Sequence, residues 1–156
     1  MKRLAFFDKY RKKRYFLSRI WSSKSICTWI MLNPSIADEN IEDNTIKKCI
    51  NFSKKWGHGG IQVVNLCSDI STDPSDIIEK IKLNHIPDKT SMNYIDNALN
   101  NCEIIYCAWG FGIKTPQWLN KKFSNKAVMA LKLSKLNTPS HPLYINKNQV
   151  PINFLD

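Results

Sequence analysis

Residues 29 to 40 read "WIMLNPSIADEN", and the interpretation of this stretch decides the fold. An apolar run, 29–32, passes directly into Asn33-Pro34-Ser35 and then into Ala37-Asp38-Glu39-Asn40. Proline pushes the residue before it into extended backbone, and Asn, Pro and Ser all favour turns, so a buried strand is expected to stop in a tight polar turn. Working outward, 15–21 and 25–32 read as strands joined by the turn 22–24. Asp43 is a good N-cap, and Ile46, Cys49, Ile50, Ser53 and Trp56 recur at helical spacing, which predicts a helix over 43–56. Gly57-His58-Gly59-Gly60 ends it, the glycines being expected to supply left-handed backbone.

The pattern then repeats. "IQVVNL" (61–66) reads as a buried strand, and Asp73-Pro74-Ser75-Asp76 opens a helix to about residue 82. A second helix is expected over 91–100, a buried strand in "EIIYCA" (103–108) ending at Trp109-Gly110, a helix over 115–123, a strand over 127–131 and a rigid loop at 139–142. Strands alternating with helices predict a three-layer α/β/α arrangement around a mainly parallel central sheet. No internal repeat or low-complexity linker divides the chain, so a single domain over 1–156 is expected, with a basic N-terminal segment at about 1–24.

Composition narrows the function classes. With 156 residues, 43% apolar and 23% charged, the chain has the size and balance of one globular core, and disordered or fibrous classes are excluded. No apolar run approaches the roughly 20 residues of a membrane span. The first nine residues lack an uninterrupted apolar core, so no secretory signal and a cytoplasmic location are expected. The five cysteines include no C-x-x-C pair, which argues against a zinc site or a disulfide framework; no metal and no organic cofactor are expected. Net charge is +10, and residues 1–24 hold nine lysines and arginines against one acid, Asp8. Interleaved with Phe6, Phe7, Tyr10, Tyr15 and Phe16, this segment suits a nucleic-acid partner, with DNA foremost. Cations release counterions from phosphates, and aromatic rings offer faces to bases. Arg11, Lys12, Lys13, Arg14 and Arg19 are the expected backbone contacts. The competing interpretation is a solvated basic edge beside a few core aromatics.

Ligands of open α/β sheets bind beyond the carboxyl ends of the strands. That rule gathers Asn33-Pro34-Ser35, Asn65 and Trp109-Gly110 along one edge, with His141 in a proline-braced loop and the carboxylate Asp38 able to reach it. Plainer roles are available: Asn33 as an Asx-turn residue, Asn65 as a satisfied core amide, Trp56 and Trp109 as core, His58 as an exposed turn residue, His85 as a loop residue and His141 as a structural one. An amide inside an apolar run is the hardest to dismiss, because burying one without partners is costly.

The pieces "MLNPSIADEN", "IQVVNL", "TDPSD", "CAWG" and "HPLY" resemble the bacterial domain-of-unknown-function family 1643 over about residues 14–145. More distantly they resemble the uracil-DNA glycosylase superfamily, in which a strand ends in an N-P or D-P turn, a later strand ends in Asn, another ends in W-G and a closing loop reads H-P-S. That likeness implies a uracil-DNA-glycosylase-like fold and a monofunctional base-excising enzyme that needs no cofactor. It implies that Asn33 places the attacking water, with Asp38 as a possible carboxylate beside it, that Asn65 reads the base edge, and that His141 donates to the departing base. Leu143 stands where the glycosylases carry the serine that grips phosphates, and the turn lacks their glycine before Asn33. A binding module that has lost the chemistry is the alternative. A hydrolase using Ser35, His141 and Asp38 is a third class, without the G-x-S-x-G elbow that such enzymes favour.

Overall fold

A computed structural model describes residues 1–155. In chain order the elements are β1 (Lys2–Phe7), β2 (Arg14–Ile20), β3 (Ile26–Met31), α1 (Asn44–Lys55), β4 (Gly60–Asn65), α2 (Ser75–Lys82), α3 (Lys89–Asn100), β5 (Ile104–Cys107), α4 (Gln117–Asn120), β6 (Ala127–Ala130), a single 3-10 turn (Pro142–Tyr144) and β7 (Ile152–Asn153). The strands form one seven-stranded sheet in the order β1-β2-β4-β3-β5-β6-β7. Its centre is parallel, β4 against β3, β3 against β5 and β5 against β6. The outer strands β1, β2 and β7 run antiparallel to their neighbours.

Side chains alternate across a strand, and here the alternation feeds two cores. Trp29, Met31, Ile61, Val63 and Tyr106 face α1, which contributes Ile46, Cys49, Ile50 and Phe52. Ile30, Val64, Ile105 and Cys107 face the other way, against Ile77 of α2, Ile95, Ala98 and Leu99 of α3, and Leu119 of α4. Every residue of β4 is buried, as a strand covered on both faces must be. The chain is therefore mixed α/β with helices on both sides of the sheet. None of its helices is long and apolar enough to cross a membrane, among the described residues.

The helix starts follow their sequence signals. Asp43 caps α1 by accepting from the Ile46 N–H at 2.8 Å, and Asp88 caps α3 by accepting from the Ser91 N–H at 2.8 Å. At α2, Pro74 is the capping residue itself, and Asp73 accepts from the Ser75 N–H at 3.1 Å. Of the cluster 57–60, only Gly57 (φ +88°) uses left-handed backbone. Gly59 is required for a different reason: a Cβ there would lie 2.2 Å from the Lys24 carbonyl oxygen.

Four elements depart from the expected plan. The basic N-terminal segment contains the edge strand β1. The helix expected over 115–123 is one turn, Gln117–Asn120, because Lys122 donates to the Leu119 carbonyl three residues back and the chain then reaches Asn125 at φ +62°. The loop 139–142 runs into the 3-10 turn. The short strand β7 closes the sheet beyond β6. His58, expected as an exposed turn residue, also differs: it is 7% exposed, with Nε2 2.7 Å from the Tyr106 hydroxyl.

The N-terminal charge is only partly displayed: Lys2, Arg3, Lys9, Arg11, Lys12 and Lys24 are exposed, whereas two arginines are not. Arg14 is 2% exposed and Arg19 is 0% exposed, so neither stands on the surface where a nucleic-acid backbone would meet it. Arg19 donates to the Glu42 carboxylate and to the carbonyls of Ser18 and Asp38. Arg3 shares Glu42 at 2.6 Å, Arg11 pairs with Glu39 at 3.3 Å, and Lys13 pairs with Asp88 at 2.8 Å. Five of the nine cations in this segment are thus buried or paired with acids from elsewhere in the chain.

Candidate functional site

At the carboxyl ends of β3, β4 and β5 lies a cavity of about 420 Å³, within the range of about 300–1,000 Å³ usual for small-molecule sites. Asn33, Ser35, Asn65, Trp109, Gly110 and His141 all line it. Three strand ends and one late loop therefore bring six of the eight expected pocket residues together. Pro34 and Asp38 are not in the wall.

Asn65 ends β4 at 3% exposure, and neither its Nδ2 nor its Oδ1 has a hydrogen-bond partner. Leaving such a group unpaired costs about 1–3 kcal/mol, so its presence calls for an explanation other than packing. Its register is fixed by Met31 alongside it on β3 and by the Leu66 N–H donating to the Met31 carbonyl at 2.9 Å.

Asn33 is held differently. Its Nδ2 donates to the carbonyls of Pro34 (3.0 Å), Asp69 (3.3 Å) and Ser71 (3.0 Å), tying the 33–35 turn to the loop after β4. The amide nitrogen is thereby committed to holding the turn.

His141 caps the 3-10 turn. The Leu143 N–H donates to its Nδ1 at 3.2 Å, which leaves the proton of the neutral ring on Nε2. Burial lowers its pKa below the usual histidine value, partly opposed by the charge of Asp43, so the ring is a neutral Nε2–H donor at pH 7. The turn is docked on α1 through Lys48, whose Nζ donates to the Ile145 carbonyl.

Asp38 is occupied elsewhere. Its Oδ1 accepts from the N–H groups of Asn40 and Ile41, both at 2.7 Å, and these bonds hold its carboxyl below the usual range. The carboxylate that does line the cavity is Asp43. Its capping role was legible in the sequence; its place in the wall was not, since one oxygen caps α1 and no spacing rule says where the other faces. Arg14 is the second residue missed. It lines the cavity, its Nη1 donates to the Ala37 carbonyl at 2.9 Å, and its Nε has no partner. Burial lowers its pKa to about 10, against the opposing pull of Asp43, so it remains charged. Ser71, Thr72 and the 90%-exposed Tyr144 complete the rim.

The five cysteines are free and buried, and no group of three or more potential metal-ligating side chains occurs among the described residues. A seven-stranded mixed α/β sheet, with a cavity at its parallel strand ends where polar side chains interrupt a mainly apolar wall, defines the class. The chain belongs to the family described as protein of unknown function DUF1643, whose model matches residues 14–143. No curated protein and no solved structure matches it.

All three histidines are shifted downward, with burial the largest cause in each. Their folded-state pKa values lie below that of the unfolded chain, so the unfolded state takes up protons first as pH falls. Their contribution to stability is complete above about pH 6.5 and is lost below it. The expected result is a lower urea midpoint at pH 5 than at pH 7.5, with the difference reduced in His58→Gln. A midpoint unchanged between the two pH values would contradict the buried histidine environments.

Proposed function

We propose that the cavity receives a nucleobase of a nucleic acid, DNA foremost, and that the protein is a monofunctional glycosylase hydrolysing the N-glycosidic bond. The observation that carries the base-binding reading is Asn65: a buried amide with a free donor and a free acceptor matches the paired polar edge that a base exposes when it leaves the helix. The order of Asn33, Asn65, Trp109-Gly110 and His141 around one cavity is also similar to the uracil-DNA glycosylase arrangement, which supports the same fold and chemistry.

In the reaction the bond between the anomeric carbon and the base nitrogen breaks with its electron pair going to the base. The His141 Nε2–H hydrogen-bonds the oxygen on which that charge accumulates, as fixed donors stabilise other oxyanions. Asn33 Oδ1 orients the attacking water, and Asp43, in place of Asp38, accepts its proton as the hydroxyl joins the anomeric carbon. The proton then passes to the released base, so the products are free base and a sugar hydroxyl.

The test is base release from single- and double-stranded oligonucleotides carrying uracil, hypoxanthine or hydroxymethylated pyrimidines. Asp43→Asn retains the helix cap, because Asn caps as well as Asp; it and His141→Ala are each expected to slow release by about 10²–10⁴-fold. A second reading, a binding module without chemistry, is favoured by the three hydrogen bonds that commit the Asn33 nitrogen to structure and by Leu143. It predicts no release from any oligonucleotide, while free bases still shift the Asn65 side-chain amide resonances. If no base shifts those resonances, both readings fall.

A further inference from the structure

A second, larger cleft of about 880 Å³ opens beside the base cavity, between the end of α2 and the segment 112–121. Its charged lining consists of Lys82, Lys114 and Lys121, with His85 and no acid. All three lysines are exposed, and none makes an ion pair or a side-chain hydrogen bond among the described residues. They contrast with Arg3, Arg11, Lys13, Lys80 and Lys122, each of which is paired with a carboxylate. The cleft wall also contains Trp118, whose buried indole N–H has no acceptor.

The two cavities share one loop. Gly110 lines the first and Gly112 the second, at most about 7.6 Å apart along the backbone. Between them Phe111 stands 52% exposed, flanked by glycines at φ +108° and +88°. Phe111 therefore presents a half-exposed aromatic ring on the loop that the two cavities share.

The geometry points to a single-stranded nucleic-acid path: a strand whose base enters the Asn65 cavity crosses Phe111, on which the next base stacks, and lays its phosphates on Lys82, Lys114 and Lys121. The direction of the strand rests on the base-binding reading above, whereas the phosphate contact is measured separately. Unpaired lysines around an acid-free cleft attract phosphates by counterion release, and an exposed ring beside them accepts a base of any sequence.

The test uses the full chain and a fluorescein-labelled 12-nucleotide single-stranded DNA of mixed sequence, followed by anisotropy at several salt concentrations. The triple variant Lys82→Ala, Lys114→Ala, Lys121→Ala is expected to bind about 100-fold more weakly at 0.1 M salt, with the salt slope smaller by about 2. Phe111→Ala is expected to weaken binding by about tenfold and to leave the slope unchanged. Arg11→Ala with Lys12→Ala is expected to have a smaller effect than the triple variant. Wild-type affinity and slope in the triple variant, or no binding of the DNA by the wild-type chain, would overturn the inference. So would inorganic polyphosphate competing as well as DNA of equal charge while Phe111→Ala changes nothing. The two readings separate by NMR: Asn65 amide shifts with free bases that persist when the lysine path fails leave the base cavity standing. DNA bound through the lysines without those shifts removes the base cavity instead.

Discussion

Asn65→Leu is expected to stabilise the fold by about 1–3 kcal/mol and to weaken base binding by about five- to 150-fold. The wild-type amide is buried at the end of β4 with neither polar atom paired. Relieving an unsatisfied buried group recovers its desolvation penalty, and leucine adds apolar area at a strand position already enclosed on both faces. The same substitution removes a donor and an acceptor from the cavity wall, and a bidentate contact to a base edge is worth about 1–3 kcal/mol, or about five- to 150-fold in affinity. Urea unfolding measures the first effect and titration with free bases measures the second. A core amide with a structural duty gives the opposite sign of stability change, so a destabilised Asn65→Leu would refute the assignment of this residue to a ligand.

Arg19→Ala is expected to cost about 3–5 kcal/mol, because it leaves Glu42 with half its countercharge and strips donors from two carbonyls in a sealed setting. For a chain of this length that lowers the thermal midpoint by roughly 10 °C. The salt dependence of DNA binding is expected to stay as in the wild type, since a residue with no exposed surface displaces no counterions. If Arg19→Ala melts normally and the salt slope drops by about one, the side chain is instead a phosphate contact.

These two residues also show what the sequence could and could not reveal. The parallel core was legible because β3, β4 and β5 are apolar runs, and each ends at a residue that breaks the run: Asn33 after Leu32, Asn65, and Trp109-Gly110. The rule that ligands sit beyond such ends placed five wall residues without any knowledge of their distances, and the proline-braced loop added His141. Where the charges of the basic segment lie was not legible, for a physical reason. Charge along the chain is not charge on a surface, and the acids that neutralise Arg3, Arg11, Lys13 and Arg19 arrive from residues 38–42 and 88, through tertiary contacts that no local pattern encodes. β1 was hidden by the same lysines and arginines, since an edge strand needs only one covered face and shows no strong alternation. Asp38 and Asp43 lie five residues apart, both in turn-forming surroundings. Only the folded loop decides that Asp38 bends back onto its own backbone while Asp43 joins the cavity wall.

The distribution of the cavity wall along the chain has a consequence for when the site exists. Its contributors run from Arg14, at the start of the second strand, to Tyr144, in a turn held on α1 by the Lys48 contact to Ile145. Contacts of such long sequence separation form late in folding, after the costly loop closures. On the ribosome the parallel core has most of its strands before the closing turn emerges, and until then the pocket lacks its imidazole. A nascent chain that has not yet reached residue 144 can therefore have its central strands while the cavity wall still lacks His141 and Tyr144.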